Sequence, residues 1–469
     1  MTRAEPLKVP GQNLAFFPAW KQSAVLAAFV IATTLVTVAT CAYAAGGLSG
    51  GSVIAMSVLA SAACLPVLVS TGALLEDSLL FALAFTLSLS IKKHLIFDSD
   101  HLGGAIGYRI AISDLVILAL IASLLLRNGF NKKLRVEVNK GILLCFSGYS
   151  VLALLSTLAG PSLRLGAFQL SAVLQAFLVF LFVSNYIKDL RRLRIFVTAL
   201  ILALALQSSV TIWQVERPGK LDLHFLGAQE EQDGRVVNRS LELPSVDVGT
   251  TTMGGEIQHR PTGLLIHPNV LALYLAFSIP LAIGWWLCAN SIWLQILTGL
   301  VIGVSAAGMY LTLSRSGWAA LVFALVAMAG FWWKWKPARL PLWQRFTIVA
   351  VFIISLVGLS LHAKKIYLRV TETADEAVSF RKTLTVAALK MVAAHPFLGV
   401  GLNSFTEVVE NYDSSMMSRI KRYPVHNTVL LEISKTGIFW GIAVVVLWVE
   451  VLWQMYRAAR LLGAATPRI

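Results

Sequence analysis

Residues 291–333 read SIWLQILTGLVIGVSAAGMYLTLSRSGWAALVFALVAMAGFWW and carry one charged side chain, Arg315. A membrane-crossing helix needs about 20 mostly apolar residues. The stretch therefore predicts two spans, 291–312 and 316–333, joined by the tight turn Ser314-Arg315-Ser316-Gly317. Outward from this pair, similar runs recur at 22–46, 53–70, 74–91, 106–126, 141–159, 168–187, 195–215, 264–288, 346–361 and 427–456. The expected fold is an all-α integral membrane protein of about twelve transmembrane helices. The run at 74–91 is the weakest, with Glu76 and Asp77 near its start. If it does not cross, the N-terminus changes side.

Composition agrees. The chain is 57% hydrophobic and 13% charged, against about 25% charged in soluble proteins, and its mean hydropathy is +0.74. Disorder is excluded, because it requires low hydrophobicity. A disulfide-stapled fold is disfavoured, since Cys41, Cys64, Cys145 and Cys288 each lie in an apolar run. The first run is too long for a cleavable signal core and lacks a small-residue cleavage site.

Short loops rich in Lys and Arg stay cytoplasmic. Loops 127–140, 188–194 and 334–345 and both termini hold such clusters, and twelve alternating spans put all five on one side. The net charge of +15 thus reports topology rather than nucleic-acid binding. The expected organisation is 1–215, about seven N-terminal spans; 216–262, an outer loop; 263–361, a transmembrane core; 362–426, a second outer loop; and 427–469, the last span and a cytoplasmic tail. Residues 216–262 hold eight acids and five bases, and 362–426 hold nine bases and six acids. Loops this long are usually functional or disordered. The second reads as ordered: Arg381 to Ala394 is a helical run with Leu384, Ala387, Ala388, Met391 and Val392 on one face, ended by Pro396 and the Gly399-Val400-Gly401 turn.

Three segments share the outer face. They are His259-Arg260-Pro261-Thr262-Gly263 leading into His267-Pro268-Asn269, then Ser314-Arg315-Ser316-Gly317, then His426-Asn427. Arginine's planar fork matches phosphate oxygens and keeps its charge. Histidine titrates near neutrality and can take a proton from a hydroxyl. Together they suit a lipid-linked pyrophosphate donor, with Arg holding the pyrophosphate and His deprotonating an attacking sugar hydroxyl. Each residue also has an ordinary reading. Arg260 and Arg315 can be interfacial anchors. His267-Pro268-Asn269 can be a helix start, Asn427 a helix cap, and Gly263 and Gly317 sites of tight turning or close packing. Asp114 lies in an apolar run and either serves function or pairs with Arg109; Glu432 and Lys435, three apart, are placed to pair.

With these residues in place, the chain resembles the O-antigen ligase and polymerase superfamily. The resemblance rests on Arg260-Pro-Thr-Gly through His267-Pro-Asn to Ala272, and on Leu313-Ser-Arg-Ser-Gly-Trp318. Arg381 with His395-Pro-Phe-Leu-Gly-Val-Gly-Leu-Asn-Ser-Phe405, and His426-Asn427 with Gly437, complete it. It runs from Arg260 to Gly441; upstream only the span pattern agrees. It implies a GT-C-like bundle with two long periplasmic loops in the bacterial inner membrane, both termini cytoplasmic. It further implies transfer of a glycan from an undecaprenyl-pyrophosphate-linked donor to an acceptor hydroxyl at the periplasmic face. The acceptor is a growing glycan or lipid A-core, or a protein in related enzymes. No metal or other cofactor is implied, the anomeric centre inverts, and a chain-length regulator is a possible partner. By position, His426 is the implied base, Arg260, Arg315 and Arg381 the implied pyrophosphate ligands, and His267, Asn269 and Asn427 supporting residues. Trp440 stands where the ligase pattern has a small residue or Tyr, and the two long loops lean the reading toward a polymerase of O-antigen or exopolysaccharide. The rival classes are a twelve-span transporter of solute or lipid-linked oligosaccharide, which should carry ionisable groups near the midplane, an intramembrane serine protease on Ser316 and His426, and a scaffold.

Overall fold

The computed structural model describes residues 73–89, 92–98, 101, 104–128, 140–216, 230–232, 235–237, 250–253, 256–265, 267–289, 291–335, 363–371, 375–413 and 423–465. The expected spans at 22–46, 53–70 and 346–361 lie outside the described residues. Two compact units are formed, one from residues 1–80 and 118–131, the other from 81–117 and 132–469. Almost all that is described belongs to the second.

The chain is mainly helical. In order it forms α1 (Ala73–Thr86), β1 (Lys92–Phe97), β2 (Gly107–Ala111), α2 (Ile112–Asn128), α3 (Lys140–Ala159), α4 (Leu163–Tyr186) and α5 (Leu190–Glu216). Then follow the strands β3 (Glu230–Gln232), β4 (Arg235–Val237), β5 (Thr250–Met253) and β6 (Glu256–His259), and the helices α6 (Pro268–Cys288), α7 (Ile292–Leu311) and α8 (Arg315–Trp335). Beyond residue 362 come α9 (Ala363–Thr371), α10 (Asp375–Ala394), α11 (Phe405–Val408) with a 3-10 turn at Val409–Asn411, α12 (Thr428–Thr436) and α13 (Ile438–Ala465).

Among the described residues, seven helices are long and apolar enough to cross a membrane: α3 to α8 and α13. They match seven of the twelve expected spans. The runs at 74–91 and 106–126 fold differently. The first gives the 14-residue α1 and then β1; the second gives β2 and then the 17-residue α2. Fourteen residues of helix rise only about 21 Å, short of the hydrocarbon thickness of about 30 Å. The last expected span, 427–456, is two helices, parted at Gly437. The mostly helical architecture agrees with the all-α expectation, and among the described residues it carries three short two-stranded antiparallel hairpins, β1–β2, β3–β4 and β5–β6.

The core around α6 explains the close packing of the spans. Val197, Ile201 and Leu204 of α5, Leu271, Ala272, Leu275, Ala276, Ile279 and Ala282 of α6, and Met309 of α7 form one buried cluster. Small residues set the approach. A Cβ on Gly317 would strike Ala272, bringing α8 against α6, and Gly308 lies against Ser208, bringing α7 against α5. Ser208 Oγ donates to Ser305 Oγ at 2.9 Å across that second contact. A separate pair, α3 and α4, is pinned by Phe146 stacked on Phe177, and Tyr149 of α3 meets Trp440 of α13.

Residues 375–436 build a helical layer with its own core: Leu384, Ala387, Ala388, Met391, Val400, Phe405, Val409 and Val425. Four of the five residues expected on one face of the loop helix are in it; Val392 is half-buried. The helix opens at Asp375, so Arg381 lies in its second turn rather than at its start. The segment 396–403 then wraps the C-terminus of α12. A helix leaves its last carbonyls without internal partners. Here Val400 N–H donates to Ser434 O at 2.9 Å, Gly401 N–H to Lys435 O at 3.1 Å, and Ser156 Oγ of α3 to Lys435 O at 2.7 Å. Ile438 N–H donates to Pro396 O. Gly437 has φ 89°, and a Cβ there would overlap the Phe397 carbonyl. The break in 427–456 is therefore a crossing of two backbones that only glycine permits. Lys435 and Glu432 do pair, at 2.8 Å.

Candidate functional site

The site is assembled from the 260–269 segment, the α7–α8 turn, α10 and the start of α12. The β5–β6 hairpin delivers the chain to Arg260. Two glutamines of α5 then hold the following turn. Gln214 Oε1 accepts from Thr262 N–H at 3.1 Å and Gly263 N–H at 2.9 Å, while its Nε2 donates to Gly263 O. Gln207 Oε1 accepts from Leu264 N–H at 2.8 Å, and its Nε2 donates to Ser88 O. Gly263 has φ 60°, and a Cβ would strike Gln207 Oε1. The ordinary reading of Gly263 and Gly317 thus holds.

His267 caps α6, with Pro268 at the first helical position. Its Nδ1 accepts from Asn269 N–H at 2.9 Å. The ring's proton in the neutral form therefore sits on Nε2, where it can be donated outward. Arg260 joins this helix start to the next turn: its Nε donates to Thr312 O at 2.9 Å and its NH2 group to Asn269 Oδ1 at 2.7 Å. Leu313, at φ 50°, turns the chain after Thr312. Arg315 begins α8 three residues beyond the carbonyl that Arg260 grips and is half-buried. Trp318 Nε1 donates to Met309 O at 3.0 Å, closing the same turn from the α8 side.

His426 follows buried Val425, part of the core of the helical layer, and precedes Asn427. Asn427 caps α12, its Oδ1 accepting from Leu430 N–H at 3.1 Å. The imidazoles sense both helical segments and each other. His267 is held down to about 4, first by desolvation, then by the charge of Arg260 and, once it is protonated in acid, of His426. His426 is lowered by desolvation and by Arg381. Both are neutral at pH 7. His267 can act only as a hydrogen-bond donor through Nε2, since protonating Nδ1 would break its cap. His426 retains a free choice of tautomer and can accept a proton.

Asn269 thus bonds both Arg260 and His267, and His426 and Arg381 are joined to this group through their fields. Among the described residues, no group of three His, Cys, Asp or Glu side chains is arranged to hold a metal ion. Asp114 is not paired with Arg109. It caps the start of α2, with Oδ2 accepting from Ala111 N–H at 2.8 Å and from Gln175 Nε2 at 3.0 Å.

Several supporting residues escaped the reading of the sequence. Gln207 and Gln214 are seven apart on one face of an apolar helix, and that spacing was their only signal. His101, 2% exposed, and Asn403, 1% exposed, were also missed. His101 Nδ1 lies 3.2 Å from Glu407 Oε1 and its Nε2 3.1 Å from Asn403 Oδ1. Asn403, at φ 64°, donates through Nδ2 to Ala105 O and Leu165 O. This node ties the β1–β2 connection and α4 to the helical layer.

No curated protein and no solved structure matches the chain. Residues 300–446 match the family model of O-antigen ligase, a span that includes Arg315, Arg381 and His426. That match makes this part of the chain similar to O-antigen ligase, and it lies in a chain with seven helices, among the described residues, long and apolar enough to cross a membrane.

Proposed function

We propose that the protein is a membrane glycosyltransferase that moves a glycan from an undecaprenyl-pyrophosphate-linked donor to a sugar hydroxyl at the periplasmic face, polymerising O-antigen or exopolysaccharide repeat units. The observation that carries this reading is the gathering of His426 and Arg381, both from the folded helical layer, with His267 and Arg260 of the segment that opens α6. In the proposed step His426 takes the proton of the acceptor hydroxyl. The hydroxyl oxygen bonds to the anomeric carbon, the bond from that carbon to the pyrophosphate oxygen breaks, and undecaprenyl pyrophosphate leaves from the opposite side. Arg315 and Arg381 bind the pyrophosphate as its charge grows. Arg260 holds the geometry, because its Nε and NH2 groups already grip Thr312 and Asn269. His267 donates to an oxygen of donor or acceptor. No metal is needed in this scheme, and the termini are placed on the cytoplasmic side.

A ligase reading, with lipid A-core as acceptor, is favoured by the description of the matching family. One reconstitution separates the two. Protein in liposomes receives lipid-linked repeat units alone, and products are read as a ladder. A ladder absent in His426→Ala is expected. No ladder until lipid A-core is added would make the protein a ligase. Full turnover in a folded His426→Ala protein would remove His426 as base.

A further inference from the structure

The β1–β2 hairpin runs along the side of α4 rather than above it. Ala105 N–H donates to Gln169 Oε1 at 3.1 Å, and Gln175 Nε2 donates to Arg109 O at 3.1 Å. Tyr108 packs edge-on against Phe168 of α4. Gln175 lies at the midpoint of a 24-residue helix long enough to cross a membrane, about 18 Å from its start at 1.5 Å per residue. Non-helical backbone at such a depth persists only where it is covered by protein or lines a water-filled cavity.

Register decides what this hairpin presents. Lys92 pairs with Ala111 and His94 with Arg109, so Lys92 and Arg109 are diagonal neighbours on one face, opposite to that of Tyr108. The charge of Arg109 acts on Lys92, which is half-buried. Among the described residues neither has a carboxylate partner. Asp114, five residues after Arg109, uses Oδ2 on Ala111 N–H and Gln175 instead. Two like charges at half the height of a span are costly unless an anion joins them, and ionisable groups at that depth are functional by default. Exposed Leu95, Ile96 and Leu115 flank the pair.

We propose that Lys92 and Arg109 form an anion site for the phosphate of a membrane lipid, distinct from the site of Arg260, His267 and His426. The depth selects a ligand with an apolar tail, and the paired cations select a phosphate or pyrophosphate group. The site stands whether or not glycan transfer is the activity; if it is, the ligand is a second lipid-linked substrate or the departing carrier.

The test uses the full chain in phosphatidylcholine nanodiscs with farnesyl phosphate as probe, the retained lipid counted by native mass spectrometry. One retained probe is expected to weaken about tenfold in K92Q/R109Q, to persist in R109K, and to persist in His426→Ala and Arg315→Gln. Displacement by phosphatidylglycerol would assign the site to bilayer headgroups, and displacement by inorganic phosphate to the phosphate group alone; both retain the anion site. Equal retention by wild type and K92Q/R109Q overturns it. Wild-type protein gives an independent reading: farnesyl phosphate should slow acetylation of Lys92 by a water-soluble reagent, and unchanged acetylation overturns the proposal. Loss of turnover in His426→Ala leaves the count at the hairpin unchanged, so the two readings fail separately.

Discussion

His267 joins two functions that substitution can part. As the cap of α6 it needs only an acceptor; as a donor to substrate it needs Nε2–H. His267→Asn should keep the cap, because Asn is a good N-cap, and should leave the thermal midpoint in detergent nearly unchanged while transfer falls. His267→Ala should lose about 1 kcal/mol of stability as well. Stability should also respond to acid. The folded-state value of His267, about 4, lies below the ordinary 6.5, so the unfolded chain binds the proton more readily between those values. The contribution of His267 is complete above pH 6.5 and is lost progressively as pH falls toward 4. A midpoint that rises on acidification through this window would contradict the cap. His426 gives a kinetic counterpart. Its lowered value owes part of the shift to Arg381, so the acid limb of the rate profile should lie below pH 6.5. Removing that charge in Arg381→Gln should move the limb up toward 6.5. A limb that does not move would place Arg381 away from the base.

At the scale of elements, the crossing at Gly437 makes the sharpest demand. Gly437→Ala places a methyl against the Phe397 carbonyl at a positive φ and should cost about 3 kcal/mol or more. Gly330→Ala, with open space around it, should be neutral in the same thermal unfolding assay. The α5 glutamines supply another case. Gln214→Leu leaves Thr262 and Gly263 N–H unpaired, at about 1–3 kcal/mol each, and should slow transfer by loosening Arg260 while helix content by circular dichroism stays constant. These elements also show what was legible. The α7–α8 pair and α6 stood out because their apolar runs are long and end at Arg315 and His267. The face of α10 was readable from Leu384 to Met391 by its helical spacing. The strand β2 was not, since a short apolar run reads equally as helix or strand, and Gly107–Ala111 merges into the apolar α2. The break at Gly437 was visible only as a glycine in a pattern. Its cause, the passage of Phe397 over it, joins residues far apart in the chain.

Across the whole molecule, α6 is a ruler for orientation. Its first residue adjoins His267 and Asn269, and its last is Cys288, which is exposed. If the site faces the periplasm, Cys288 must face the cytoplasm. With Cys41, Cys64 and Cys145 replaced by Ser, a membrane-impermeant maleimide added to intact spheroplasts should leave Cys288 unlabelled and label it after lysis. A cysteine placed at Ser316, in the turn beside Arg315, should label before lysis. The basic loops 188–194 and 334–345 predict the same arrangement, because each follows or precedes a span on the side opposite the site. The reading depends on α6 alone, so it does not require the crossing number of residues 22–128, where α1 and α2 are shorter than the runs that suggested them. Labelling of Cys288 from outside would turn the whole core over. It would place His426 and the arginines in the cytoplasm and exclude transfer at the periplasmic face, whatever the chemistry of the site.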